Sequence, residues 1–127
     1  AVIGGIGHTD FTKNSGRSEL QLAAECVKAA IDDAGLRPGD IDGMVTFSVD
    51  ENEEIEVARN VGIGNLSFFT RVPHGGGAAA GTVMQAAMAV ATGVAEAVVC
   101  YRAFNERSGF RFGGAGRPRC GGRASIP

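Results

Sequence analysis

The segment RVPHGGGAAAGT, residues 71–82, sets His74 beside three consecutive glycines, Gly75, Gly76 and Gly77, at a strand-to-helix junction. So little side chain at such a junction serves the approach of a ligand to the backbone, the approach of two backbones to each other, or only the tightness of the turn. A histidine beside a helix N-terminus can donate to an oxyanion or a carbonyl. It can equally be a turn residue packed against another subunit. A second group, Arg102, Asn105, Glu106 and Arg107, follows the last apolar segment. In parallel α/β sheets ligands gather at the carboxyl ends of the strands, which makes Arg102 and Arg107 candidates for an anion or a partner protein. The competing assignment pairs them with Glu106 or with the acidic run DENEEIE, residues 50–56. That run itself suits a solvated helix start favoured by the macrodipole.

The remaining reactive groups read as structural. Cys26, Cys100 and Cys120 are odd in number and lack metal-ligand spacing, so the chain predicts no disulfide framework and no metal site, and a reducing cytoplasm as its compartment. Cys100 falls near the end of an apolar strand and reads as a packed thiol. Cys26 lies on the flank of a helix, and Cys120 lies in the C-terminal segment. His8 follows the first apolar segment and reads as a loop histidine. GGIGHTD, residues 4–10, does not contain the dinucleotide fingerprint GxGxxG, and no nucleotide loop is assigned to it.

The elements that must position these groups follow from periodicity. AVIGGIG reads as a buried opening strand. Ser18 caps a helix with Gln21 completing a capping box, and Leu20, Ala24, Val27 and Ile31 form its apolar stripe. Gly35 ends that helix and Pro38 prevents its return. IDGMVTFSV is a second strand, ENEEIEVARNVGI a short acidic helix stopped at Gly62, and NLSFFTRV a third strand. Ala78 to Gly93 carries no charge, and a helix apolar all round is buried all round. EAVVCYRA is a fourth strand. The alternation of strand and helix predicts an α/β layered fold with a mostly parallel sheet and a buried central helix.

At 127 residues the chain has the length of one domain or of part of a larger one. Its hydrophobic fraction of 44% supports a packed core and its charged fraction of 20% argues against disorder. The net charge of −2 excludes nucleic acid as an obvious partner. No apolar run reaches the roughly 18–20 residues of a membrane span. Residues 1–112 carry the periodic pattern. Residues 113–127, GGAGRPRCGGRASIP, form a Gly/Arg-rich tail read as irregular or disordered.

Two stretches carry a family resemblance. DDAGLRPGDIDGMV resembles the exit of the first helix in the thiolase superfamily, and MAVATGVAEAVVCYRA resembles that superfamily's buried helix and the strand after it. FFTRVPHGGGAAAGTVMQAAMAVATGVAEAVVCYRAFNERSGFRFG looks most like the lipid-transfer-protein branch, with CYRAFNERSG its more specific piece. The resemblance implies the N-terminal half of a thiolase-like fold across residues 1–112. It also implies retro-aldol cleavage of a steroid side-chain acyl-CoA, with CoA entering as part of the substrate and no separate cofactor. The small zinc-ribbon/OB-fold protein associated with this branch is an implied partner. So is a homodimer in which the strand Leu66, Ser67, Phe68, Phe69, Thr70, Arg71 and Val72 pairs with its copy.

Ordinary thiolases carry a nucleophilic cysteine where the buried helix begins. Fifteen residues before Ala91 that position falls on Gly76, and residues 73–81 contain no Cys, Ser or Thr. Acyl-enzyme chemistry is therefore not available there. The resemblance assigns the acid/base groups, tyrosines in this branch, to a C-terminal half; Tyr101 is the one tyrosine here. No catalytic set is assigned within residues 1–127. His74, Gly75, Gly76, Gly77, Arg102, Asn105 and Arg107 remain as substrate- or CoA-lining candidates. Two other functions stay open: acyl transfer with a nucleophile supplied elsewhere, and a non-catalytic binding or scaffolding piece.

Overall fold

The computed structural model describes residues 1–12, 15–47, 54–73 and 79–104. Its elements are α1 (Glu19–Asp33), a 3-10 turn (Pro38–Asp40), β1 (Gly43–Phe47), α2 (Glu54–Val61), β2 (Phe68–Val72), α3 (Ala79–Ala91) and β3 (Val98–Cys100). The strands form one parallel sheet in the order β2-β1-β3. An α/β architecture with a parallel sheet therefore stands.

Local chemistry sets the boundaries. Ser18 accepts from Gln21 N at 3.2 Å while Gln21 Oε1 accepts from Ser18 N at 2.9 Å, the reciprocal capping box read from the sequence. Gly35 (φ 71°) follows α1 and Gly62 (φ 91°) follows α2, both in the left-handed region that spares glycine the Cβ clash. The stripe of α1 is turned from the expected one. Leu22, Ala23, Val27 and Ile31 are buried, whereas Leu20 and Ala24 are only partly covered. The helix packs beside α2 and shares its core with Met44 and Val99 of the sheet, so its buried face is set by two neighbours.

Asp42 joins the three strands at their amino ends. Its carboxylate accepts from Glu96 N at 3.0 Å and Ala97 N at 2.9 Å, just before β3. Its carbonyl accepts from Ser67 N at 2.8 Å and from Ser67 Oγ at 3.1 Å, just before β2. The next residue, Gly43, opens β1, where a Cβ would lie 2.8 Å from Val98 Cγ2.

Two expectations change. Residues 1–12 form no strand, and Val2, Ile3 and Ile6 are exposed. Instead the segment lies against α1: a Cβ on Gly5 would sit 2.5 Å from Ala30 O, one on Gly7 would sit 2.6 Å from Cys26 O, and Ile6 N donates to Asp33 Oδ2 at 2.9 Å. Its glycines serve backbone-to-backbone approach to a helix, which competes with ladder formation. The second change is α3. Thr82, Ala86 and Ala89 are buried, while Met84 is 66% and Met88 55% exposed. The sheet covers one side of this helix and no described layer covers the other, so among the described residues α3 is buried on one side only.

Candidate functional site

Side chains alternate across a strand, so register fixes which residues share a face. Met44 pairs with Val99, and both join the core that α1 and α2 form with Val27, Ile31 and Val57. Val45 pairs with Cys100 on the opposite face, where Cys100 Sγ donates to Thr82 O of α3 at 3.5 Å. The ladder continues one residue past β3, since Tyr101 N donates to Val45 O at 3.1 Å. Tyr101 is buried in the α1/α2 core, and its carbonyl accepts from Thr46 Oγ1 at 3.3 Å. It is thus on the far face of the sheet from α3.

The next residue returns to the α3 face. Arg102 stands at the carboxyl end of the sheet beside Phe47, the last residue of β1, which is itself paired with Val72, the last residue of β2. The Arg102 guanidinium carbon lies 5.5 Å from the centroid of the Phe47 ring and 5.5 Å from that of Phe104. Both separations are within the reach of a cation–π interaction. The same end of the sheet holds the start of α3 at Ala79, whose macrodipole adds positive potential. Sheet crest, helix start and one held guanidinium thus converge on a single edge of the molecule.

Of the substrate-lining candidates, Arg102 is placed on that edge and is exposed. His74, Gly75, Gly76 and Gly77 lie outside the described residues, between Pro73 and Ala79. Asn105, Glu106, Arg107, Cys120 and the tail 113–127 also lie outside them. The acidic helix takes a different cation from the ones proposed for it: Glu54 Oε1 of α2 meets Arg71 Nε of β2 at 3.3 Å. Of the seven residues assigned to subunit pairing, Phe68–Val72 form β2, and Leu66 and Ser67 precede it. Leu66 packs on the core and Ser67 Oγ donates to Val94 O at 2.9 Å. Among the described residues β2 is an edge strand, and Phe69 is 65% exposed.

Beyond β3 runs an open groove of about 1270 Å³, with residues 1–12 on one side, Val83, Ala87 and Val90 of α3 on another, and Arg102 and Phe104 at one end. The groove follows the unpaired side of β3, between the two helix layers. His8 is exposed there, its ring stacked on Phe11 at 5.6 Å with 7° between planes, and its Nδ1 3.0 Å from Thr9 O. Among the described residues no three His, Cys, Asp or Glu side chains gather as a metal site. No described helix is long and apolar enough to cross a membrane.

Sequence reasoning missed Phe47 and Phe104 as the rings that hold Arg102. For Phe47 the signal was the phase of alternation in MVTF and VVCYRA, which only the register between β1 and β3 turns into a contact; for Phe104 it was the spacing of two from Arg102.

Comparisons with known proteins place the chain beside one class of enzyme. It is 73% identical over 113 residues to a protein of Thermomonospora curvata named steroid side-chain-cleaving aldolase. It is 67% identical over 113 residues to the 17-hydroxy-3-oxo-4-pregnene-20-carboxyl-CoA lyase of Mycobacterium tuberculosis. A chain of a solved structure described as Ltp2-ChsH2(DUF35) aldolase matches with TM-score 0.83 and 72% identity. Each match covers 89% of this chain, yet the chain spans only 29% of the two relatives and 30% of the solved chain. No family model matches the chain.

Proposed function

We infer that this chain is the N-terminal part of a thiolase-like lyase that cleaves the side chain of a steroid acyl-CoA by a retro-aldol reaction. The observation that carries this reading is the identity of 73% and 67%, over 113 residues, to proteins named as aldolase and lyase. In such a reaction the substrate has a hydroxyl β to the thioester carbonyl, as the name of the mycobacterial relative implies. A base takes the hydroxyl proton, the oxygen's electrons form a ketone, and the carbon–carbon bond breaks. The bonding pair passes to the carbon next to the thioester as an enolate, which an acid then protonates.

This segment's part in that reaction is to bind and to frame. Gly76 stands where a thiolase nucleophile would, which counts against acyl transfer. Tyr101 is buried in the core on the face away from α3. The acid and base are therefore assigned to the part of the protein outside this chain. The thiolase-like layering, in which further chain covers the open side of α3, is part of the proposal and is supported by the exposed methionines of that helix. A homodimer through β2, a small zinc-ribbon/OB-fold partner protein, and a cytoplasmic location, which the reduced thiol of Cys100 suits, are also part of the proposal. The lining roles of His74, Gly75, Gly76, Gly77, Asn105 and Arg107 belong to the same proposal.

The test is incubation of the full-length protein that carries this segment, with its partner, with 17-hydroxy-3-oxo-4-pregnene-20-carboxyl-CoA. Expected products are a steroid ketone and a short acyl-CoA. Acetoacetyl-CoA with free CoA should give no acetyl-CoA. Thiolytic activity with covalent acylation between residues 73 and 81 would overturn the reading.

A further inference from the structure

We propose that Arg102, held against Phe47 and Phe104, binds the phosphate groups of the acyl-CoA at the carboxyl end of the sheet. The proposal rests on the lyase reading above and names a contact within that same site. Three observations meet at this residue. Its guanidinium carbon stands 5.5 Å from each of two ring centroids, so the flexible side chain is held at the crest. It is exposed, in a strand extension where its neighbours Tyr101 and Ala103 are buried. It also stands at the carboxyl end of the sheet, at the mouth of the open groove and on the same edge as the start of α3.

Three of the other described arginines differ in kind: Arg17, Arg37 and Arg71 each meet a carboxylate, Glu25, Asp40 and Glu54 in turn, while Arg59 lies in the last turn of α2, away from the groove. Among the described residues Arg102 meets rings instead. Rings hold a guanidinium through its faces and leave its in-plane N–H donors for an acceptor, whereas a carboxylate partner consumes them. An arginine held in this way is suited to bidentate recognition of a phosphate. Ring contact also reduces the side-chain entropy lost when the anion binds.

The experiment uses the full-length protein with its partner and compares two ligands, the acyl-CoA and the same acyl group on pantetheine, which lacks the phosphates. Arg102→Ala should raise KM for the acyl-CoA on the order of tenfold to a hundredfold, the scale of a lost charge-assisted hydrogen bond. KM for the acyl-pantetheine and kcat for both should stay near wild type. Arg102→Lys retains the charge but loses the planar fork, and should recover only part of the loss. Phe104→Leu should raise KM for the acyl-CoA alone, by a smaller factor. Equal effects on the two ligands, or none on either, would overturn the assignment while leaving the lyase reading intact. A wild-type protein that cleaves neither ligand would overturn both.

Discussion

Asp42 shows how one side chain can set the alignment of a sheet. Its carboxylate holds the chain entering β3 and its carbonyl holds the chain entering β2. Asp42→Ala removes the carboxylate contacts and leaves the N–H groups of Glu96 and Ala97 without that acceptor. The expected loss is about 1–3 kcal/mol of unfolding free energy by urea titration, with Asp42→Asn recovering part of it. Cys100 makes a second residue-scale prediction. The residue is exposed, but its sulfur is turned toward α3, and burial raises the thiol above its ordinary value of 9.0 while the Thr82 side chain offsets part of the rise. The folded state therefore holds the thiol proton more tightly than the unfolded chain does. The stability this contributes is fully present below the unfolded thiol's pKa and is lost as pH rises through the folded one. From neutral to alkaline pH the wild type should lose urea resistance more steeply than Cys100→Ala. Parallel curves would show that the sulfur is not packed as described.

At the scale of the element, α3 makes the sharpest claim. Its buried residues Thr82, Ala86 and Ala89 face the sheet, while Met84 and Met88 face away. Ala86→Glu would place a carboxylate against the sheet without a partner and should unfold the chain or cost several kcal/mol. Met84→Glu should be nearly silent in the isolated segment. In the full-length protein it should be severe, because the proposed layering covers that side. Solubility and thermal melts of both variants in both contexts check this, and a silent Met84→Glu in the full-length protein would count against the layering. The capping box at Ser18, the glycine stops and the order of elements were legible because they depend on residues close in sequence. The absent opening strand was not. AVIGGIG has a strand's composition, but Gly5 and Gly7 meet the backbone of α1, a long-range contact that periodicity does not encode. The α1 stripe was displaced for the same kind of reason, since which residues α2 covers is a tertiary fact. At the site, Arg102 was legible from its place after an apolar strand and Phe104 lies two residues beyond it, whereas Phe47 required the register.

At the scale of the whole molecule, the described residues leave two sides open: the edge of β2 and the groove along β3. The two are unlike, and each suits a different neighbour. The groove has an apolar α3 wall, with Val83, Ala87 and Val90 lining it, and suits the further layer that the proposed thiolase-like layering would place there. The edge of β2 is a single strand flanked by Arg71, which Glu54 holds, and by the exposed ring of Phe69. An edge strand with an exposed aromatic is a template for pairing. Two copies meeting antiparallel across a two-fold axis would satisfy the edge without opening a further one. Ser67 is already bonded to Val94 and Asp42, so the ladder should begin at Phe68 and centre within Phe68–Val72. Sedimentation of the full-length protein at micromolar concentration should show the dimer. Phe69→Asp removes the aromatic contact and sets two carboxylates near the axis, where like charges facing each other repel. That variant should shift the population toward protomers, and raised salt, which screens the repulsion, should restore part of the dimer. A wild type that sediments without this association, or a Phe69→Asp protein that keeps the dimer unchanged, would remove β2 from the interface.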